Sequence, residues 1–338
     1  MSNRFDERYE IRLAHYEEIP EVMNFINSFW KENHILAKDR AFFEYEMVIN
    51  GVVDFVIAKS KLTGQIEGIH GFLPCSESKD KLDIWGVIWK TIPEAMPMLG
   101  MELKKRTIQV TCARTELGVG ANSDTSVPLL NRIFHYYTAK MKHYYRLAER
   151  DNYKIAIVNH KEILKTRMDT TIQYKKLSSV EELERFFDFS TVADCIPYKD
   201  SWYYERRFYR HPKYSYELWG LTDNEKKAVV VIRKQECNGE TAVRIVDYLG
   251  NHELFSYAGE FLDNLLEIAE YVDFYFDGFE EEFVKAAGMQ EVIDNDTNII
   301  PDYFNPFEQR NVDIYVDSSD RNNKCIFFKA DGDQDRPS

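Results

Sequence analysis

The feature that most constrains the fold of this 338-residue sequence is an order of predicted strands and helices that occurs once in each half. Alternation of apolar and polar residues predicts strands, and apolar residues spaced three and four apart predict helices. In the first half the predicted strands are 9–13, 52–59, 66–74, 83–90, 107–111 and 136–147, and the predicted helices are 17–26, 42–47, 99–106 and 127–133. The order is strand, two helices, three strands, helix, strand, helix and strand.

The second half repeats this order and adds one strand. Its predicted strands are 171–174, 214–218, 228–233, 241–248, 271–275, 312–316 and 325–329, and its predicted helices are 179–183, 201–209, 254–270 and 280–287. Repetition at half the chain length predicts two domains of one α/β fold, each an α+β arrangement around a mixed sheet. We expect the boundary in the polar stretch 159–169, which gives domains 1–165 and 166–338.

Composition excludes several classes of protein. The sequence has no run near the roughly 18 apolar residues of a membrane helix, and its start lacks the apolar segment of a secretory signal. Its five cysteines include no C-x-x-C pair, which argues against a disulfide framework and a thiolate zinc site. We therefore expect a cytoplasmic protein without a metal ion and without a membrane partner.

The charge argues against nucleic acid as a partner. The 43 Lys and Arg residues are outnumbered by 57 Asp and Glu, for a net charge of −14. Affinity for nucleic acid comes mostly from basic side chains that neutralise phosphates. The best basic cluster, residues 140–146, is short and contains tyrosines. We expect small-molecule partners, and the sequence leaves the oligomeric state open, a homo-oligomer included.

At this point the chain resembles a known family. The repeated element order is similar to the GNAT acyltransferase fold in tandem, and three segments resemble tandem-GNAT proteins of bacterial O-antigen and capsule synthesis. These segments are RRFYRHPKYSY (206–216), IPDYFNPF (300–307) and FKADGDQDRP (328–337). The resemblance implies an N-acyltransferase that moves an acyl group, of acetyl to 3-hydroxybutanoyl size, from acyl-CoA to the amine of a nucleotide-linked amino sugar. A dTDP-3-amino-3,6-dideoxyhexose is the expected acceptor, within lipopolysaccharide biosynthesis.

In the family, a loop of the form Q/R-x-x-G-x-G/A at a helix N-terminus binds the pyrophosphate of CoA, and a helix N-terminus is a natural anion site. Here 92–101 reads IPEAMPMLGM, so that Gly100 falls on the last glycine position while Met98 and Ala95 replace the other two. The resemblance therefore implies that the first domain binds acyl-CoA. The implied contacts are Trp89, Lys90, Leu99, Gly100 and Met101.

Two residues are candidate bases from their own surroundings. His70 lies mid-strand between glycines, where a ligand can approach closely. Asp247 is a carboxylate within an apolar strand. A core histidine and a strand residue that pairs with Arg244 or Arg233 are the structural alternatives. The resemblance adds Asn122, which follows the fifth strand. The tyrosine that serves as general acid in the family is replaced by Leu129 and Leu130, and by Phe283 in the second half.

The resemblance implies that the second domain supplies the acceptor-binding residues. Forked hydrogen bonds from Gln and Arg beside carboxylates suit a base, ribose or pyrophosphate, and aromatic rings stack on sugars and bases. The candidates are Arg207, Tyr303, Asn305, Phe307, Asp331, Asp333, Gln334 and Arg336. A solvated acidic tail and a self-packed aromatic loop are the structural alternatives.

Two other functions stay open. The tandem architecture also occurs in Fem-type transferases that use aminoacyl-tRNA, which the acidic charge and the lack of a visible coiled-coil arm disfavour. The second is a binding module whose catalytic sites have decayed, because the usual tyrosines are missing and the phosphate loop is weak. It predicts nucleotide-sugar binding without turnover.

Overall fold

The computed structural model of the protein describes residues 4–162, 164, 166, 172–293, 297–302 and 307–337. The strands are β1 (Tyr9–Leu13), β2 (Val48–Ile49), β3 (Val52–Val53), β4 (Phe55–Ser60), β5 (Ile66–Pro74), β6 (Asp83–Thr91), β7 (Thr115–Val119), β8 (Tyr137–Lys140), β9 (Lys142–Leu147), β10 (Gln173–Leu177), β11 (Glu217–Thr222), β12 (Lys227–Cys237), β13 (Glu240–Gly250), β14 (Tyr271–Asp277), β15 (Gln290–Glu291), β16 (Tyr315–Ser318) and β17 (Phe327–Phe328).

The helices are α1 (Arg4–Arg8), α2 (Ile19–Phe25), α3 (Ile35–Lys38), α4 (Arg40–Met47), α5 (Leu99–Thr111), α6 (Ser126–Leu129), α7 (Val180–Phe186), α8 (Ser201–Tyr204), α9 (Gly259–Leu266) and α10 (Glu281–Ala286). Single π-helical turns at Ile26–Trp30, Leu130–Phe134 and Glu205–Tyr209 extend α2, α6 and α8. Tyr16–Glu18, Phe189–Val192 and His252–Tyr257 are 3-10 turns. Within the described ranges, no helix has both the length and the apolar character needed to cross a membrane.

The described residues form two large mixed sheets with the same plan. The first has the order β1-β4-β5-β6-β7-β16-β8, and the second has the order β10-β11-β12-β13-β14-β9-β15, with β17 also paired to β14. In each sheet one adjacent pair is parallel, β6 with β7 and β13 with β14. The prediction of two α/β units with mixed sheets is confirmed.

Each sheet contains a strand from the other half of the chain. In the second sheet β9, from the first half, pairs with β14, while β16, from the end of the second half, pairs with β7 and β8 in the first sheet. The predicted single strand 136–147 is therefore wrong: it is two strands, β8 and β9, which lie in different sheets. The predicted strand 312–316 begins at Tyr315 instead.

Helix α5 replaces a predicted helix and strand. The run 107–111 is rich in β-branched residues and therefore predicts a strand, but it continues α5 to Thr111. Leu99, Leu103 and Thr107 are buried at a spacing of four residues, and the Thr107 hydroxyl donates to the Leu103 carbonyl at 3.0 Å. Packing of this helical face against the sheet overrides the local strand preference. The predicted helix 254–270 is likewise shorter, a 3-10 turn followed by α9.

Helices cover both faces of the first sheet. Successive residues of a strand point to opposite faces. Phe55 and Ile57 of β4 pack in the cluster that contains α2 and α4, whereas Val56 and Ala58 pack in the cluster that contains α1 and α5. The two faces are called here the α4 face and the α5 face.

Candidate active site

The parallel strands of each sheet are paired only near their beginnings. In the first sheet β6 and β7 are paired from Asp83 to Trp85 and from Thr115 to Leu117. The register between β5 and β6 then shifts by one residue between Gly86 and Trp89. Such an extra residue is a β-bulge, which bends its strand away from its neighbour. The gap between β6 and β7 beyond this bulge is called the first gap.

The second sheet has an equivalent β-bulge, but its gap between the parallel strands is filled. The register of β12 and β13 shifts by one residue at Val246. The C-terminal residues 327–330 lie in the gap between β13 and β14. Phe328 pairs with Phe276 of β14, and the Ala330 N–H donates to the Val246 carbonyl at 2.8 Å. The chain itself therefore occupies the place that stays open in the first sheet.

A cavity of about 510 Å³ lies on the α4 face at the first gap. It reaches Val87 and Ile88 of the bulge and Gly120 just after β7. Its lining also includes Glu46 of α4, Arg233 of β12 and the C-terminal segment 333–337. Both halves of the chain contribute to this inter-sheet cavity, and its volume is within the range typical of small-molecule sites.

A second cavity, of about 450 Å³, lies on the α5 face. Its lining is mostly apolar and includes Met98, Met101, Phe134 and Tyr136. The same cavity is lined by two basic residues, Arg4 and Lys105. It is called here the α5 cavity.

A buried polar cluster lies on the α5 face, around Glu116 of β7. The Glu116 carboxylate accepts from Lys104 Nζ at 2.8 Å and from the Tyr136 hydroxyl at 3.1 Å. Asp317, on the inserted strand β16, lies against Gly118, where an added Cβ would be 2.3 Å from Asp317 Oδ2. Burial raises the pKa of the Asp317 carboxyl to about 6. Sequence reasoning missed Glu116, Tyr136 and Asp317.

His70 belongs to this cluster. Its Nδ1 lies 2.8 Å from the Thr107 hydroxyl, and its Nε2 lies 3.3 Å from Glu116 Oε1. The side chain is 1% exposed. Burial, and next the charge of Lys104, hold the pKa of the imidazole well below its usual range. It is a neutral ring enclosed by protein, and its catalytic role stays a prediction.

Asp247 lies in the core of the other sheet. Its carboxylate accepts from Lys199 Nζ at 2.6 Å and from the Tyr204 hydroxyl at 3.0 Å. Lys199 also pairs with Asp331 at 2.6 Å. Burial raises the pKa of Asp331 to about 6, against the lowering effect of Lys199. Thus Asp247 and Asp331 fasten the filled gap of the second sheet, and Asp247 does not share a cluster with His70.

The predicted CoA contacts lie at the start of α5. The Trp89 indole donates to the Gly100 carbonyl at 2.7 Å, and a Cβ on Gly100 would be 3.1 Å from the indole nitrogen. Leu99 is buried, Met101 lines the α5 cavity, and Lys90 is the penultimate residue of β6. Close contact with Trp89 therefore favours a glycine at position 100, whether or not Gly100 takes part in anion binding.

The predicted acceptor residues divide into three groups. Asp333, Gln334 and Arg336 line the inter-sheet cavity. Arg207 is buried and stabilises the C-terminal segment, because it donates to the Ala330 carbonyl at 3.3 Å and to the Asp335 carbonyl at 3.0 Å. The others do not join them: Phe307 packs beside the cluster of Tyr145 and Ile155, and Tyr303 and Asn305 lie outside the described residues.

Asn122 caps a turn. Its side-chain oxygen accepts from the backbone N–H of Asp124 at 2.9 Å and of Thr125 at 3.0 Å. It lines a different groove from the inter-sheet cavity, and its catalytic role stays a prediction. Glu46 was missed, although its position could have been found: a carboxylate falls on the same helical face as Phe42, Phe43 and Met47. Among the described residues no cluster of His, Cys, Asp and Glu is arranged to hold a metal ion.

This geometry can be compared with solved structures. No protein-family model and no curated protein matches the sequence. A GCN5-related N-acetyltransferase from Anabaena variabilis superposes with a TM-score of 0.57 over 91% of this chain and 72% of that chain, at 9% identity. The chain has the GNAT fold.

Two further solved structures are similar at lower scores. A putative acetyltransferase from Pyrococcus horikoshii has a TM-score of 0.45 and 11% identity, covering 94% of this chain and 91% of its own. A GCN5-related N-acetyltransferase from Sphaerobacter thermophilus has a TM-score of 0.43 and 12% identity, covering 92% and 95%.

Proposed function

We propose that the protein is a cytoplasmic, acyl-CoA-dependent N-acyltransferase whose acceptor is a nucleotide-linked amino sugar. A dTDP-3-amino-3,6-dideoxyhexose of O-antigen synthesis is the acceptor we would test first. The observation that carries the proposal is the asymmetry of the two gaps. The first gap opens to the inter-sheet cavity, and the α5 cavity lies beside α5, the helix that covers the other face of that sheet, whereas the second gap is filled by Phe327–Phe328 and Ala330.

Acyl-CoA would occupy the α5 cavity. Its mostly apolar lining suits the pantetheine arm, and Arg4 and Lys105 offer charge to the phosphates. The N-terminus of α5, a helix of 13 residues, adds a favourable dipole for an anion. From this cavity the thioester would pass Tyr136 to reach the first gap. In this proposal 1–165 is the acyl-CoA side and 166–338 the acceptor side, apart from the exchanged strands.

The acceptor would occupy the inter-sheet cavity. The rings of Trp30 and Tyr214 can stack on a sugar or base, and Arg233, Gln334 and Arg336 offer donors to hydroxyl and phosphate oxygens. Much of the rate would come from holding amine and thioester face to face at the gap, an effect that reaches about 7–11 kcal/mol in well-oriented systems.

The chemistry at the gap needs a donor for the thioester oxygen and an acid for the leaving thiolate. A backbone N–H of the bulge residues Val87 and Ile88 is suited to the first task, since a bulge leaves a residue outside the regular ladder. The Tyr136 hydroxyl is suited to the second. Burial, and next the charge of Glu116, raise the pKa of Tyr136, which keeps the phenol protonated.

The test is a thiol-release assay. Acetyl-CoA and 3-hydroxybutanoyl-CoA would be offered against a panel of dTDP- and UDP-linked amino sugars, with the corresponding sugars that lack the amine as controls. We expect free CoA only with an amine-bearing acceptor. Release with simple amines but with no sugar nucleotide would contradict the acceptor class, and no release with any amine would contradict the transferase itself.

A further inference from the structure

The inter-sheet cavity carries charges of both signs. Four carboxylates and four basic side chains line it, namely Glu46, Asp302, Asp333 and Asp335, and Lys31, Arg233, Lys329 and Arg336. A carboxylate that already holds a cation is a poor proton acceptor, because the ion pair stabilises its ionised form. The pairing pattern therefore decides which carboxylate is available for chemistry.

Three of the four carboxylates are ion-paired. Arg336 pairs with Glu46, Arg233 pairs with Asp335 at 2.8 Å, and Lys329 pairs with Asp302 at 2.9 Å. These pairs also fix the walls of the cavity: the first ties the C-terminal segment to α4, and the second ties it to β12.

Asp333 differs from the other three. It forms no ion pair with any described residue, and its side-chain contact is a long hydrogen bond from Gln334 Nε2 at 3.5 Å. The residue is exposed, and it lines the same cavity as Val87 and Ile88 of the bulge. It is thus an unpaired carboxylate in the cavity that reaches the first gap.

We propose that Asp333 is the catalytic base that takes the proton from the acceptor ammonium, an assignment that rests on the proposed function. The ammonium gives one proton to an Asp333 oxygen. The neutral amine then attacks the thioester carbonyl, the C–N bond forms and the C–S bond breaks. Tyr136 gives its hydroxyl proton to the thiolate, which leaves as CoA thiol, the second nitrogen proton restores the tyrosine hydroxyl, and Asp333 returns its proton to water.

The pKa of Asp333 suits this task. Desolvation by the surrounding residues raises the pKa of its carboxyl, and the hydrogen bond from Gln334 and the charges of Arg336 and Lys329 lower it only in part. A carboxylate with a raised pKa is a better base near neutral pH. His70, the base expected from the sequence, lies instead on the α5 face, enclosed by Thr107 and Glu116.

The experiment compares wild type with Asp333→Asn and Asp333→Glu by thiol release between pH 6 and pH 10. General base catalysis contributes about 100- to 10,000-fold, so we expect Asp333→Asn to lose at least about 100-fold in kcat at pH 7. The loss should shrink as pH rises, because the free amine then comes from solution. Asp333→Glu should recover part of the rate. Asp194→Asn, at a fully exposed carboxylate outside the cavity, is the matched control.

Four outcomes would overturn the assignment. A raised acceptor KM at unchanged kcat in Asp333→Asn would make Asp333 a binding residue only. A loss that is the same at every pH would indicate a structural effect, which thermal unfolding of the variant checks independently. If the wild type turns over and Asp333→Asn is equally active, the role of Asp333 is contradicted and the proposed function stands. If the wild type is inactive, both the role of Asp333 and the proposed function are contradicted.

Discussion

The backbone N–H of Ala330 donates to the carbonyl oxygen of Val246 at 2.8 Å, at the bulge of β13. The equivalent bulge of β6 faces a cavity instead. The two halves of the chain thus have the same bulged strand geometry but differ at the gap. One gap is closed by the protein's own C-terminal segment, and the other is open to a cavity. The closed gap also fixes where the segment 333–337 enters the inter-sheet cavity.

The buried ion cluster that fastens this segment should be essential for stability. Lys199 lies between Asp247 and Asp331, 2.6 Å from each. Lys199→Met leaves two buried carboxylates without a cation, and removal of one partner of a buried pair typically costs about 3–5 kcal/mol. We expect a loss of that size in the free energy of unfolding, measured by urea denaturation.

Two variants test the reason for that loss. Lys213→Met removes a pair with Asp39 that is partly exposed on both sides, so its effect should be much smaller than that of Lys199→Met. The triple variant Lys199→Met, Asp247→Asn and Asp331→Asn removes the charges together and should recover most of the stability. A triple variant as unstable as Lys199→Met alone would show that packing, not charge, causes the loss.

Donor binding should depend on Lys105. Its ammonium is exposed at the α5 cavity, where it would meet a phosphate of acyl-CoA. A charge-assisted hydrogen bond contributes about 1.5–3 kcal/mol, so Lys105→Ala should raise the KM for acyl-CoA by about 10-fold or more and leave the acceptor KM unchanged. Lys79→Ala, another exposed lysine that lines none of the described cavities, is the control. An unchanged donor KM would place acyl-CoA elsewhere.

Much of the fold follows from the sequence, because strand and helix patterns are local. The hairpin of β4 and β5 and the element order of each half needed no tertiary information. The exchange of β9 and β16 between the two sheets could not be predicted in this way, because the apolar–polar pattern of a strand does not show which strand it pairs with. Helix α5 beyond residue 106 was missed because its β-branched residues favour a strand locally, whereas the buried face with Leu99, Leu103 and Thr107 packs as a helix against the sheet.

The site was predicted in part. Composition alone indicates a solvated acidic tail for the run DGDQDR, and the family resemblance makes it a candidate; three of its residues, Asp333, Gln334 and Arg336, line the inter-sheet cavity. Glu116 and Asp317 meet only because β16 inserts beside β7. Their sequence separation, and the misplaced strand 107–111, left no local signal for that cluster.

Tyr136 should act as the acid that protonates the leaving thiolate. Its hydroxyl lies at the Glu116 carboxylate, and its ring lines the α5 cavity. Removal of a general acid typically costs about 100-fold or more, so Tyr136→Phe should lower kcat by about that factor with little change in either KM. Tyr137→Phe is the matched control, because the next tyrosine bonds instead to Asp277. Equal effects of the two substitutions would contradict the assignment.

Asp317 should make stability fall as pH rises. Burial holds its folded-state pKa near 6, above the ordinary 3.8. Between those values the folded protein binds the proton that the unfolded chain has released, so stability decreases with pH across this window and stays lower above it. Asp317→Asn removes the charge. It should therefore be more stable than wild type by about 3 kcal/mol at pH 8, at about 1.4 kcal/mol per pKa unit, and equal to it below pH 4.

Chemical unfolding of both proteins at pH 4, 6 and 8 measures this difference. Asp320→Asn gives the opposite sign as a control: a hydrogen bond from Asn323 is the main cause that lowers the pKa of Asp320, so its loss should destabilise the protein at neutral pH and matter less in acid. If Asp317→Asn is less stable than wild type at pH 8, the ionised carboxylate at Gly118 stabilises the fold, and the buried cluster at the first gap then depends on that charge.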